Sequence, residues 1–148
     1  MKPAAACVDS AHHQLDFWLG DWDTFDSAAL NQPSVARNHA EAILGGCVLR
    51  EVYEQTDGLV GQSFTIYDAD RRRWHQSWVT NQGQLLVLEG TLQGSRIVLD
   101  GIDHGKHDAM IRVSWEPQAH GVREIATRSV DDGKQWQLFD TLFRPHRP

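Results

Sequence analysis

The sequence predicts an all-β fold, an antiparallel up-and-down barrel of about ten strands preceded by a short helix. Three observations lead there. From Ser34 onward the chain reads as short alternating segments separated by turn signals. The hairpins follow one another along the chain, which favours a meander over a Greek key. Finally, the apolar, aromatic run Asp16-Phe17-Trp18-Leu19 ends at Gly20, just ahead of the first strand, as a plug for one barrel end would.

Residues 1–9 read as a disordered tail and residues 10–148 as one domain. Ser10 is a reasonable N-cap for a helix through Leu19, because Leu15, Trp18 and Leu19 fall at i, i+3, i+4 on one stripe. Gly20 stops it. Trp22 and Phe25 begin the first strand, and Asn31-Gln32-Pro33 turns the chain. Ala36 to Leu44 and Val48 to Gln55 flank the reversal at Gly45-Gly46, and Thr56-Asp57-Gly58 ends the third strand. Gly61 to Asp68 and Arg73 to Thr80 form a hairpin across Asp70-Arg71. Leu85 to Thr91 and Arg96 to Asp100 follow, then a loop from Asp103 to His107. Ala109 to Trp115, Val122 to Val130 and Gln135 to Arg144 complete the set, the last two joined across Asp131-Asp132-Gly133.

Composition narrows the function classes. Hydrophobic residues are 41% and charged residues 23%, which is globular rather than disordered. The net charge of -6 and the absence of a basic patch argue against nucleic acid. The one basic run, Arg71-Arg72-Arg73, follows Asp68-Ala69-Asp70 and reads as a solvated turn. No apolar run of ~18 residues predicts a membrane span, and the N-terminus lacks the apolar core of a signal peptide. Cys7 and Cys47 are the only cysteines. With Cys7 in a tail, the expectation is two reduced thiols and a cytoplasmic protein.

Phe17-Trp18-Leu19-Gly20-Asp21-Trp22-Asp23 resembles the entry motif of an uncharacterised bacterial family of lipocalin-like (calycin-type) barrel proteins. Further matching segments are Glu41 to Glu51, Gly61-Gln62-Ser63-Phe64 with Tyr67-Asp68, Trp74 to Val79, and Ser129 to Trp136. The resemblance covers roughly residues 14–144 and implies a barrel with a central cavity. It implies no particular activity, since a shared barrel does not transfer one.

Period-2 alternation sorts the strands into faces. Leu49, Glu51 and Tyr53 share one face; His39, Glu41 and Ile43 share another; Trp74, Gln76 and Trp78 go together, opposite His75. Met110, Arg112 and Ser114 oppose Ile111, Val113 and Trp115. If Glu41 and Glu51 both point inward, they form a carboxylate pair with Arg112 or Arg128 as counter-ion. Such a pair in a dry interior suits acid/base work. Trp78 and Gln76 would give an aromatic wall and an amide for a flat ligand. His39 and His75 are candidate bases. Asp103-His104-Gly105-Lys106-His107-Asp108 holds metal-ligand types, but a loop rarely converges the three or four ligands a site needs, so no metal is expected. No nucleophile elbow, phosphate loop or dinucleotide fingerprint is present.

These features predict a binder of a small, largely apolar molecule, lined by Glu41, Glu51, Tyr53, Gln76, Trp78 and Arg112, with His39 nearby. One alternative is a cofactor-independent isomerase, cyclase or lyase using a cavity carboxylate or histidine. Others are a haem barrel of the nitrobindin kind and an interaction protein with a filled core. No haem or other cofactor is expected, because Gln135 to Phe143 offers no axial histidine. Neither nucleic acid nor membrane is an expected partner, and homodimerisation is left open.

Overall fold

The computed structural model describes residues 6–105, 108–130 and 134–148. Its strands are β1 (Gly20–Asp26), β2 (Ala36–Ile43), β3 (Val48–Gln55), β4 (Val60–Asp68), β5 (Arg73–Thr80), β6 (Leu85–Gln93), β7 (Arg96–His104), β8 (Asp108–Gln118), β9 (Gly121–Ser129) and β10 (Gln135–Pro145). Each pairs antiparallel with its sequence neighbour, and β1 pairs with β10, so the sheet closes into a barrel without an edge. β7 runs on to His104, which pairs with Asp108. Asp103 therefore lies on a strand and not in the expected loop.

The N-terminal helical segment consists of two 3-10 turns, Ser10–His13 and Asp16–Trp18, rather than one continuous α-helix. Asp9, the residue before the first turn, makes no side-chain cap bond, and Leu15 at φ -111°, ψ 9° interrupts the helical path. The segment nevertheless plugs the barrel at the end where the odd-numbered strands begin. Trp18 is fully buried, with its ring 5.5 Å from Trp115 and 6.4 Å from Phe143. The Trp22 indole N–H donates to the Trp18 carbonyl at 2.9 Å. Gly20, at φ +151°, permits this return, since a Cβ there would sit 3.1 Å from the Trp22 ring. The Trp74 indole N–H donates to Gln14 at 3.1 Å and ties β5 to the same plug. Leu15, Trp18, Leu49, Ile97, Trp115 and Phe143 belong to one apolar cluster. Truncating a buried aromatic of this kind costs about 3–5 kcal/mol, a large part of a domain's stability.

A disulfide joins Cys7 to Cys47 with a Cα–Cα distance of 5.2 Å. This overturns the expectation of two reduced thiols. Cys47 follows the β2–β3 reversal, which lies at the plugged end, so barrel closure brings it to the segment that precedes the plug. Among the described residues no helix is long and apolar enough to cross a membrane.

The bridge spans a separation of 40 residues. Its removal in Cys7→Ser or Cys47→Ser should cost about 2–4 kcal/mol through the freed unfolded chain. Calorimetry of the parent and variants checks this. A thiol assay on the unfolded, non-reduced chain should find no free thiol, and two free thiols would contradict the bridge.

Candidate functional site

Beyond the plug the barrel is hollow. A cavity of about 820 Å³ runs from Trp115 and Phe143, against the plug, to Asp57, Gln84 and Leu138 at an open mouth. A register shift in β10 between Gln137 and Phe139 leaves Leu138 as an extra residue at that mouth.

β3 contributes Glu51 and Tyr53, and the strand partner sets the surroundings of each. Glu51 lies across from Ser63 and Tyr53 across from Gly61. The Ser63 hydroxyl donates to Glu51 Oε1 at 2.9 Å. Gln76 on β5 lies across from Thr65 and donates to its hydroxyl at 3.0 Å. Gly61 provides the seat for Trp78, because a Cβ at that position would fall 2.1 Å from the indole ring. Tyr53 meets this indole edge-on at 6.0 Å, while its hydroxyl donates to Gln55 at 2.8 Å.

The electrostatics are unusual for a cavity of this size. Glu51 is 5% exposed, and burial pushes its carboxyl up to about 7, against the weaker downward pull of Ser63 and Asn38. Glu124 on β9 lies across from Trp115. It is partly buried and lines the cavity. Burial, and then the charge of Glu51, hold it well above the usual carboxylate range. Burial and both glutamates raise the Tyr53 phenol as well. Six carboxylates line the cavity: Asp26, Glu51, Asp57, Asp103, Glu124 and Asp140. Two of them have arginine partners, Asp140 with Arg123 at 2.6 Å and Asp103 with Arg128 at 3.9 Å. Among the described residues no Lys, Arg or His lines the cavity.

Of the residues singled out by sequence, Glu51, Tyr53, Gln76 and Trp78 line this cavity. Glu41, His39 and Arg112 do not. The β2–β3 register pairs Ala40 with Glu51 and Glu41 with Arg50. The small Ala40 therefore faces inward, and Glu41 forms an outer ion pair with Arg50. His39 lies 3.6 Å from Glu41 on that outer face. Arg112 is held outside by Asp100 at 2.8 Å, because Ile111, Val113 and Trp115 take the inner positions of β8. The inner carboxylate pair is thus Glu51 with Glu124, rather than Glu51 with Glu41. Trp74 belongs to the plug. His75 lies outside, bonded to Glu89 and Ser77, each at 2.9 Å. His104 pairs with Asp108 at 3.0 Å; Lys106 and His107 lie outside the described residues, among which no group of three metal-ligating side chains occurs. Sequence reasoning missed Glu124, Asn38 and Trp115 as site residues. The signal for Glu124 was its alternation with Val122 and Ala126, both apolar.

Comparison with protein-family models and with curated proteins finds no match to this chain.

A raised carboxyl value has a definite effect on stability. Between the ordinary 4.5 and about 7, folded Glu51 keeps a proton that the unfolded chain gives up. The contribution of Glu51 to stability is therefore full below pH 4.5 and falls as pH rises through that interval. At about 1.4 kcal/mol per pH unit the loss approaches ~3 kcal/mol, and Glu124 adds to it with the same sign. Denaturant unfolding across this interval should show the decline, and Glu51→Gln should flatten it and be the more stable protein above pH 7. A parent whose stability is level or rising there would contradict the burial of Glu51.

Proposed function

We propose that this protein binds a small, largely apolar molecule inside its barrel. The observation that carries this reading is the cavity itself. About 820 Å³ lies within the ~300–1,000 Å³ of ligand sites, and one end is open. Its walls are apolar over much of their extent, with Trp78, Leu86, Leu88, Ile111, Val113 and Phe139 among the lining. Polar groups are interspersed with these walls, and among them Glu51, Gln76 and Glu124 would fix a ligand's orientation. A protein acting only through its outer surface has no need of such a void, since filling it would stabilise the fold. The likeness of Phe17 to Asp23 to the entry motif of lipocalin-like proteins supports the same reading.

A neutral apolar dye, N-phenylnaphthylamine, should bind saturably and quench tryptophan fluorescence. Trp78→Ala should weaken it by roughly 1–3 kcal/mol, the scale of one lost buried aromatic contact. Unsaturable binding, or a Trp78→Ala protein with the parent's affinity, would count against this lining.

One observation favours a second reading, a cofactor-independent isomerase, cyclase or lyase. Glu51 sits near neutrality in a cavity, where a carboxyl can both give and take a proton. The histidine form of this idea is set aside, since His39 and His75 lie outside the barrel. In the enzyme reading, a retained ligand is converted by the parent and recovered unchanged from Glu51→Gln. Recovery of the unchanged ligand from the parent would exclude it.

A further inference from the structure

We propose that the ligand of this cavity carries one organic cation, an ammonium or amidinium group, seated between Glu51 and Glu124 with its apolar body against Trp78. The inference rests on the binding reading above and adds the charge of the ligand and the place where that charge sits.

Four observations converge on it. First, Glu51 and Glu124 face the same lumen from β3 and β9, and no Lys, Arg or His among the described residues lines it with them. Buried carboxylates are ordinarily paired with a cation, and among the described residues none lines the cavity beside these two. Second, Asn38 is fully buried, and neither its amide oxygen nor its amide nitrogen has a hydrogen-bond partner. It lies close enough to act on Glu51 without reaching hydrogen-bond geometry. The Trp115 indole N–H is likewise buried and without a partner in regular geometry, and it stands in the same relation to Glu124. Orphaned groups of this kind are rare in folded proteins and call for an explanation; Trp18, Thr24 and Arg50 also carry one each, but only those of Asn38 and Trp115 act on the two inner glutamates. The Asn38 oxygen can accept from an ammonium N–H, and the indole N–H can hold Glu124 in place. Third, the lining carries six carboxyl groups and, among the described residues, no Lys, Arg or His; with Asp140 and Asp103 offset by arginines, the balance still favours a cation over an anion. Fourth, the Trp78 and Tyr53 rings adjoin this space and favour a cation beside an aromatic face.

The donor set distinguishes an organic cation from a metal ion. No group of three His, Cys, Asp or Glu side chains gathers among the described residues. Calcium wants six or more oxygens, and zinc three or four close ligands. Two carboxylates between aromatic walls suit a nitrogen cation with an apolar body. The other groups on the surrounding inner faces are Thr24, Asn38, Ser63, Thr65, Gln76 and Trp115, none of which titrates. The remaining titratable groups of the lining among the described residues are Tyr53, raised by burial and by the pair, Asp57 at the mouth, Asp26, and Asp103 and Asp140 with their arginine partners. Without a bound cation, one carboxyl of the pair keeps a proton. A bound ammonium replaces it, so the bound state keeps its charge balance and one proton leaves to solvent.

The test is isothermal titration calorimetry of the full chain with phenethylamine, phenylethanol and phenylacetate, which share a body and differ in the terminal group. The amine should bind about tenfold or more tightly than the alcohol, with the carboxylate weakest. In buffers of different ionisation enthalpy, the unmodified chain should release about one proton per amine at pH values just below 7. Glu124→Gln should bring amine and alcohol to within about threefold. If the alcohol or carboxylate binds as tightly as the amine, this inference fails and the binding reading stands. The inference fails in the same way if amine binding releases no proton, or if the preference survives in both Glu124→Gln and Glu51→Gln. If none of the three binds at millimolar concentration, both the inference and the binding reading fail.

Discussion

Two carboxyl groups enclosed in one barrel cannot both ionise unless something positive joins them, and the rest of the structure is arranged around that constraint. Among the described residues that line the cavity with them no cation occurs: Glu51 has a hydroxyl donor in Ser63, and Glu124 has the charge of Glu51 and the indole of Trp115 near it. An apolar pair of the same volume would give a more stable barrel. The glutamates therefore make the empty fold less stable than it could be. That is understandable where the missing charge arrives with a ligand.

The barrel tolerates this cost because its two ends do different work. At the plugged end, Trp18 fills the space between Trp115 and Phe143, and the Cys7–Cys47 bridge anchors the chain leading into the plug. Bulk burial and cross-linking are concentrated there. Closure of β1 onto β10 leaves no strand edge to fray. The other end opens as the mouth of the cavity. Gly61 gives up its own side chain so that the Trp78 ring can lie against the wall, and Leu138 stands out of register at the mouth. The plug with its cross-link and the cavity mouth thus lie at opposite ends of the barrel, while Leu88, Ile111, Trp115 and Phe143 serve both the core and the cavity wall.

Turn chemistry made the strands legible. Gly45-Gly46, Asp70-Arg71, Asn81-Gln82-Gly83 and Gln93-Gly94 each mark a reversal that the barrel contains, and Trp18 announced the plug. Alternation also placed Glu51 with Tyr53, and Gln76 with Trp78, on shared faces. It could not say which face of β2 is the inner one, because Asn38 and Glu41 are both polar. That choice is made by the register of Ala40 against Glu51, a property of the closed sheet. Glu124 was hidden by the same ambiguity, since Arg123, Ile125 and Thr127 mix polar and apolar residues as readily as Val122, Glu124 and Ala126 do. The disulfide had no local signal. Forty positions separate its cysteines, and only the plug and the β2–β3 reversal sharing one end of the barrel bring them together. Likewise the 3-10 turns replaced a continuous helix because the backbone at Leu15 adapts to the plug.

The account turns on the protonation of the inner pair, and carbon-detected NMR titration of the glutamate carboxyls reads this residue by residue. Glu89, held by Arg71 and His75 on the outer face, serves as the contrast and should titrate at about 2. Glu51 should titrate at about 7, and Glu124 well above the ordinary 4.5. If Glu51 and Glu124 both titrate near 4.5, as free carboxyls do, the interior is open to water or supplied with a cation. The two-carboxylate site would then be wrong.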